Sequence, residues 1–183
     1  MKKIAGFTLI ELLVTIGIIV LVTGGGIAGF INFNDKQQVT TAVKDIQTMM
    51  RAAQIKARAG EGAEACPLQA TLTNGKLRGY EVALSGNNLI MNSVCADLST
   101  TVKIPRTAST ISLDGVSVTF DNASNAVEFL SLKGGTNTGH TGATPLVVTI
   151  SGNAGLYEYT FEVKPGGEIT EGAFTPWWSL SNK

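Results

Sequence analysis

The stretch KKIAGFTLIELLVTIGIIVLV, residues 2–22, predicts a long apolar helix at the start of the chain. The apolar run continues from Phe7 to Phe33, and a helix of this length is enough to cross a hydrocarbon core of about 30 Å. Glu11 is the only charged residue in the run. A carboxylate at the centre of a membrane-spanning helix costs about 2.5 to 3.5 kcal/mol, and such residues usually face a partner rather than lipid. We therefore expect Glu11 to have a partner.

The charges beside the apolar run predict its orientation. Lys2 and Lys3 favour a cytoplasmic start of the helix, so the rest of the chain is expected on the other side of the membrane. Two alternatives stay open, a secretory signal cleaved near residues 23–26 and a permanent inner-membrane anchor. The position of Glu11 inside the run and the lack of an A-x-A-like site argue against the cleaved signal.

Gly6 followed by FTLIELLVTIGII resembles the processing and methylation motif of type IV pilins and type II secretion pseudopilins, over roughly residues 1–30. The resemblance implies that a prepilin peptidase cleaves between Gly6 and Phe7 and methylates the new amino group of Phe7. It also implies that the residue matching Glu11 neutralises the N-terminal amine of a neighbouring subunit and sets axial register. Many members of that family carry a proline in this part of the helix, and this sequence has none. Gly24, Gly25 and Gly26 are therefore the candidate region where the helix melts or bends, and close packing of helices against these small residues is the alternative.

The second half of the helix has an amphipathic pattern. Between residues 34 and 60 the apolar residues form one stripe that is expected to pack on a sheet: Val39, Val43, Ile46, Met50, Ala53 and Ala57, flanked by Ala42 and Met49. Thr8 and Thr15 are expected to hydrogen-bond to carbonyls one turn back. The predicted segments are a leader at 1–6, a membrane or filament-core helix at 7–33, an amphipathic helix at 34–60 and a β-rich head at 61–183.

The head is expected to be antiparallel and β-rich, because its apolar residues alternate with polar ones between glycine-rich turns. The sequence PGG at 165–167 predicts a hairpin, and the polar stretch at 133–145 predicts an exposed loop. The fold class is therefore α+β, a pilin-like helix packed on an antiparallel sheet. Strands are predicted near residues 68–73, 77–84, 87–94, 101–105, 110–113, 116–121, 126–132, 145–151, 156–164 and 167–170.

Cys66 and Cys95 are the only cysteines, and both fall on the side of the membrane where oxidation is possible. We expect one disulfide between the end of the helix and the strand near 89–94, stabilising the fold by roughly 3 to 4 kcal/mol. Buried free thiols are the alternative. Asn122 begins an Asn-Ala-Ser glycosylation pattern, whose use the sequence leaves open.

The sequence carries no catalytic or metal motif, so no enzyme activity, metal or cofactor is expected. His140 is the sole histidine and lies in the polar loop, which leaves no triad or histidine cluster. No metal-loop spacing is found among Asp35, Asp45, Asp97, Asp114 and Asp121. The net charge is zero, and about −2 without Lys2 and Lys3, so nothing attracts nucleic acid.

The expected function is that of a structural subunit of a type IV pilus or a type II secretion pseudopilus. The run MMRAAQIKARA, residues 49–59, resembles the helix end of the GspH/FimT-like branch, so a minor subunit is favoured over a major pilin. A tethered module binding DNA or a surface ligand is the other alternative, but the C-terminal tail has Lys183 and no arginine. Trp177 and Trp178 either close the head or contact a partner. Expected partners are other subunits, the prepilin peptidase and an inner-membrane assembly platform.

Overall fold

The computed structural model describes residues 8–66, 72, 74–97, 100–131, 135–139, 144–176 and 179, with the side chains of 25, 26, 28 and 105–109 left out. Gly6, Phe7, His140 and the two tryptophans lie outside the described residues. The predicted α+β layout is confirmed, because one helix, α1 (Leu9–Ala59), precedes antiparallel sheets.

Both ends of α1 are capped. Thr8 precedes the first turn, and its Oγ1 accepts a hydrogen bond from the backbone N–H of Glu11 at 3.3 Å. This bond satisfies one of the free N–H groups at the start of the helix. The predicted bond from Thr8 to a carbonyl one turn back involves residues outside the described ones, so it stays a prediction. Thr15 does donate to the Leu12 carbonyl at 2.9 Å. Gly60 ends the helix with φ of 66°, and its N–H bonds to the Ala57 carbonyl.

The two halves of α1 differ in burial. Every large apolar side chain from Leu9 to Phe33 is exposed, whereas Asp35 is the first buried side chain among those described along the helix. The predicted stripe is confirmed as the buried face of the second half: Val39, Val43, Ile46, Met49, Met50, Ala53 and Ala57. These residues pack against both sheets and form one core with them.

All strand pairs are antiparallel. The five-stranded sheet has the order β3-β2-β1-β5-β6, and the four-stranded sheet has the order β4-β7-β8-β9. A short 3₁₀ helix, Ala63–Ala65, follows α1. The strands are β1 (Lys76–Ser85), β2 (Asn88–Ala96), β3 (Thr101–Ser112), β4 (Val116–Phe120), β5 (Ala126–Leu130), β6 (Thr136–Asn137), β7 (Leu146–Gly152), β8 (Tyr157–Val163) and β9 (Ala173–Pro176).

Several strand predictions need correction. The strands expected at 101–105 and 110–113 are one strand, β3, because a proline is tolerated in a strand at the edge of a sheet. The segment 167–170 contributes only the isolated bridge between Val163 and Ile169. The hairpin partner of β8 is β9, which resumes the pairing at Ala173 and was not predicted. The polar loop predicted at 133–145 contains the two-residue strand β6. Most of the strand expected at 68–73 lies outside the described residues.

Candidate functional site

The exposed half of α1 is the largest apolar surface among the described residues. The large apolar residues of this half are 48% to 81% exposed, and their side chains surround the helix rather than forming one face. They are Leu9, Ile10, Leu12, Leu13, Val14, Ile16, Ile18, Ile19, Val20, Leu21, Val22, Ile27, Phe30, Ile31 and Phe33. Large contiguous apolar surfaces on folded proteins mark membrane or protein contacts. The helix is long and apolar enough to cross a membrane.

Glu11 occupies the first turn of α1. Together with Thr8 it forms the sequence pattern of a capping box, in which residues three apart satisfy the free N–H groups of a helix start. The first turn also favours a negative charge, because the unpaired N–H groups there carry partial positive charge. Among the described residues, none forms an ion pair with the Glu11 carboxylate. The carboxylate is therefore exposed in an apolar surface and is available to a group from outside the described chain.

The glycines of the apolar half have no packing role among the described residues. A Cβ placed at Gly17, Gly24 or Gly29 would meet no atom within 4 Å. The helix is nevertheless continuous through 24–26, so the monomer shows no break at the predicted melting region. Melting there stays a prediction about the assembled state.

Asp35 fixes α1 to the head at the point where the apolar half ends. Its side chain is 2% exposed, and its Oδ1 accepts the N–H of Ala154 at 3.0 Å while its Oδ2 accepts the N–H of Leu156 at 3.1 Å. A Cβ at Gly152, the last residue of β7, would overlap this carboxylate, so the strand needs a glycine there. Sequence reasoning considered Asp35 only as a metal ligand. The sequence does hold a signal for the role of Asp35 in fixing the helix to the head. Asp35 follows Phe33, the last residue of the apolar run, by only two positions, so it stands where the helix passes from the apolar half to the head.

The other end of α1 is tied to the five-stranded sheet by a covalent bond. Cys66 and Cys95 form a disulfide with a Cα–Cα distance of 5.4 Å, so the expected bridge is present. Cys95 lies in β2, directly opposite Leu77 of β1. Asp35 and the disulfide together hold the two ends of the buried helix half against the head.

Two glutamates lie side by side across β1 and β5, where Glu81 pairs directly with Glu128. Lys103 Nζ lies 2.7 Å from Glu81 Oε2, and Arg78 Nε lies 3.1 Å from Glu128 Oε1. Burial raises the pKa of the Glu128 carboxyl, an effect that Arg78 opposes and the neighbouring Glu81 reinforces. Each carboxylate already has a cationic partner, so this cluster is a charge-balanced part of the sheet.

No metal-binding group of three or more histidine, cysteine, aspartate or glutamate side chains occurs within the described ranges. Asn122 is buried, and its Nδ2 donates to the carbonyls of Ala126 at 2.7 Å and Thr138 at 2.5 Å. These bonds occupy the nitrogen that glycosylation would modify, so in this fold Asn122 is a structural residue.

Comparisons with known proteins match the start of the chain. The family model described as the prokaryotic N-terminal methylation motif covers residues 1–27. Neither the curated proteins nor the solved structures contain a match to the chain. The matched residues include the Gly6–Phe7 bond, Glu11 and the glycines at 24–26. The chain therefore carries the N-terminal signature of type IV pilins and type II secretion pseudopilins.

Proposed function

We propose that this chain is a structural subunit of a type IV pilus or a type II secretion pseudopilus, and that it polymerises through α1. The observation that carries the proposal is a methylation motif at residues 1–27 continuous with an exposed apolar helix. The second half of the same helix is built into the head, so a force or contact on the apolar half acts on the whole subunit. The proposed segments are the leader 1–6, the core helix 7–33, the amphipathic helix 34–60 and the head 61–183.

Processing comes first in this proposal. A prepilin peptidase cleaves between Gly6 and Phe7 and methylates the amine of Phe7, while the helix stays in the inner membrane with Lys2 and Lys3 on the cytoplasmic side. An assembly platform in that membrane then transfers the subunit into the filament. The exported head faces the periplasm or the cell exterior, which agrees with the disulfide.

Assembly pairs Glu11 of one subunit with the Phe7 amine of the next. Two unit charges about 4 Å apart attract by about 4 kcal/mol at an effective dielectric constant of 20, and the apolar helices around them gain little specificity from one another. Breaking a buried pair by removing one partner costs about 3 to 5 kcal/mol, because the remaining charge is left uncompensated. The pair therefore selects one axial register. Bending or melting at 24–26 adapts the helix to the packed filament.

Within this function we favour a minor, GspH/FimT-like subunit over a major pilin. The support is the resemblance of residues 49–59 to the helix end of that branch. A low copy number and a position at the filament tip would favour the minor form, and filaments that disappear on deletion would favour the major form. A tethered binding module is the remaining alternative, with the head as the active part and the helix as an anchor.

Two measurements test the proposal. Intact mass spectrometry of the protein from its native membrane is expected to find a chain that begins at N-methylated Phe7, whereas a chain that begins at Met1 or beyond Thr23 contradicts it. Glu11→Val is expected to abolish assembly while membrane insertion and disulfide formation persist. Glu64→Val, an exposed position after α1, is the matched control and should assemble normally. Normal filaments from Glu11→Val would reject the role of the charge pair.

A further inference from the structure

The head begins immediately where the apolar half of α1 ends. Phe33 is 66% exposed and Asp35 is 2% exposed, so only about 3 Å of helix separates the last apolar residue from the body of the head. If the apolar half lies in a bilayer, the nearest part of the head must lie on the membrane surface. The inference below therefore rests on the proposed function.

That part of the head presents an aromatic group to the helix. Lys36 Nζ lies 5.9 Å from the ring centroid of Tyr157 and 5.7 Å from that of Phe174. Tyr159 packs edge to face on Phe174, with ring centroids 4.9 Å apart. Phe174 is 37% exposed and belongs to β9, a strand at the end of the four-stranded sheet. We call Lys36, Tyr157 and Phe174 the aromatic edge.

The aromatic edge lies at the depth of a headgroup layer. The helix from Leu9 to Lys36 is about 40 Å long at 1.5 Å per residue, and a bilayer with its headgroups is about 40 to 45 Å thick. With Leu9 at one boundary of the membrane, Lys36 reaches the headgroups of the opposite leaflet. The Asp35 contacts to the β7–β8 turn keep this relation fixed, because they hold the helix and the start of β8 together.

The residue types suit that layer. Tyrosine is enriched at the membrane–water interface because its ring is apolar and its hydroxyl is polar, and a lysine there extends its ammonium toward phosphate while its stem packs on apolar groups. We propose that the aromatic edge is a docking surface for the phospholipid headgroups of the leaflet that faces the head. The surface is continuous with the apolar helix, and it seats the head on the membrane before the subunit enters a filament.

The test uses the full chain in vesicles of phosphatidylcholine and anionic phosphatidylglycerol, in which a small fraction of the lipid carries a quencher on its headgroup. A fluorophore is attached at Asn153→Cys, an exposed position in the turn that binds Asp35, or at Gly166→Cys, where a side chain has open space. The neighbouring Gly167 carbonyl accepts a hydrogen bond from Gln54 at 2.8 Å, so this second label lies about 28 Å farther along the helix than Asp35. We expect strong quenching at Asn153 and little at Gly166.

The same measurement is repeated in variants of the aromatic edge. Phe174→Ser is expected to lower the ratio of docked to undocked heads about threefold, because only the 37% of Phe174 that is exposed remains to be buried by docking. Lys36→Gln changes an exposed side chain, leaves the core intact, and should weaken docking more at low salt than at high salt. It therefore reports on docking even if Phe174→Ser disturbs the fold.

The outcomes separate the two proposals. Equal quenching at both labels in an inserted chain, or unchanged Asn153 quenching in both variants, overturns the docking surface and leaves the filament function standing. Quenching that grows with the ratio of protein to lipid shows a contact with a second copy, which also overturns it. A chain that does not insert into the vesicles at all contradicts the proposed function itself.

Discussion

The Asp35 carboxylate is the contact whose removal gives the sharpest test of how the helix is fixed to the head. Asp35→Asn keeps the size of the side chain but leaves one acceptor oxygen where the structure uses two. The N–H groups of Ala154 and Leu156 approach the two oxygens at 3.0 and 3.1 Å, so one of them would face an amide nitrogen that cannot accept. Since the carboxylate is 2% exposed, water cannot easily replace it.

The expected loss follows from the two bonds. A hydrogen bond to a charged group is worth about 1.5 to 3 kcal/mol, and a buried donor left unpaired adds a desolvation penalty of about 1 to 3 kcal/mol. The asparagine keeps one weaker bond, so we expect the free energy of unfolding to fall by about 3 kcal/mol. For a chain of this size each kcal/mol lowers the melting temperature by about 2 to 4 °C, which gives a shift of about 10 °C.

Thermal unfolding of the detergent-solubilised full chain, followed by circular dichroism, measures this shift. Asp45→Asn is the matched control, because Asp45 is exposed on the same helix and its substitution should change the free energy by no more than about 0.5 kcal/mol. A shift for Asp35→Asn as small as that of the control would refute the argument that these two bonds hold the helix to the head.

Three further changes address the disulfide, a buried carboxyl and a close backbone approach. Joint replacement of Cys66 and Cys95 by alanine should lower the free energy of unfolding by about 3.5 kcal/mol, as expected for a separation of 29 residues, and unfolding curves equal to those of the oxidised chain would contradict this. Because the pKa of Glu128 is raised in the fold, its protonated form stabilises the fold, and this contribution is lost as the pH rises from the ordinary glutamate pKa through the raised one. As the pH rises through that range, the free energy of unfolding of Glu128→Gln should therefore increase relative to that of the original chain. If denaturant titrations show the same difference between the two chains at every pH, the pKa of Glu128 is not raised in the fold. Gly79→Ala should fail to fold or lose more than about 3 kcal/mol, because its Cβ would overlap a carbonyl oxygen of β5, whereas Gly166→Ala has open space and should be nearly neutral in the same assay.

Sequence reasoning predicted the features that depend on local pattern. The period of the apolar residues gave the buried face of α1 correctly, from Val39 to Ala57, because a helix that packs on one side repeats its apolar residues every three or four positions. The alternation in VSVTF and YEYTFEV predicted β4 and β8 for the same kind of reason, since successive side chains of a half-buried strand point to opposite sides. The pairing of Cys66 with Cys95 followed from their being the only two cysteines.

The misses are features set by contacts with other segments of the chain. Residues 136–137 are a strand only because β5 supplies Glu128 and Phe129 as partners, and nothing in the polar loop itself indicates this. At 167–170 the bridge between Val163 and Ile169 is isolated. Next to it the backbone N–H of Thr170 donates to the Glu162 carbonyl at 2.9 Å, but the N–H of Glu162 donates to Thr170 Oγ1 at 3.0 Å, so a side chain takes the place of one backbone acceptor. The Asp35 contacts join residues 119 and 121 positions apart, which local pattern cannot reveal.

The glycines fall into two groups, those that the fold of a single chain requires and those that it does not. At Gly79 and Gly152 a Cβ would overlap atoms of the same chain, so the folded head alone requires glycine there. At Gly17, Gly24 and Gly29 a Cβ would meet nothing, and each glycine weakens the helix by about 1 kcal/mol relative to alanine. The fold of a single subunit therefore gives no reason for the helical glycines. Their cost is understandable if a second helix approaches closely or the helix bends there, as the proposed assembly into a filament would require.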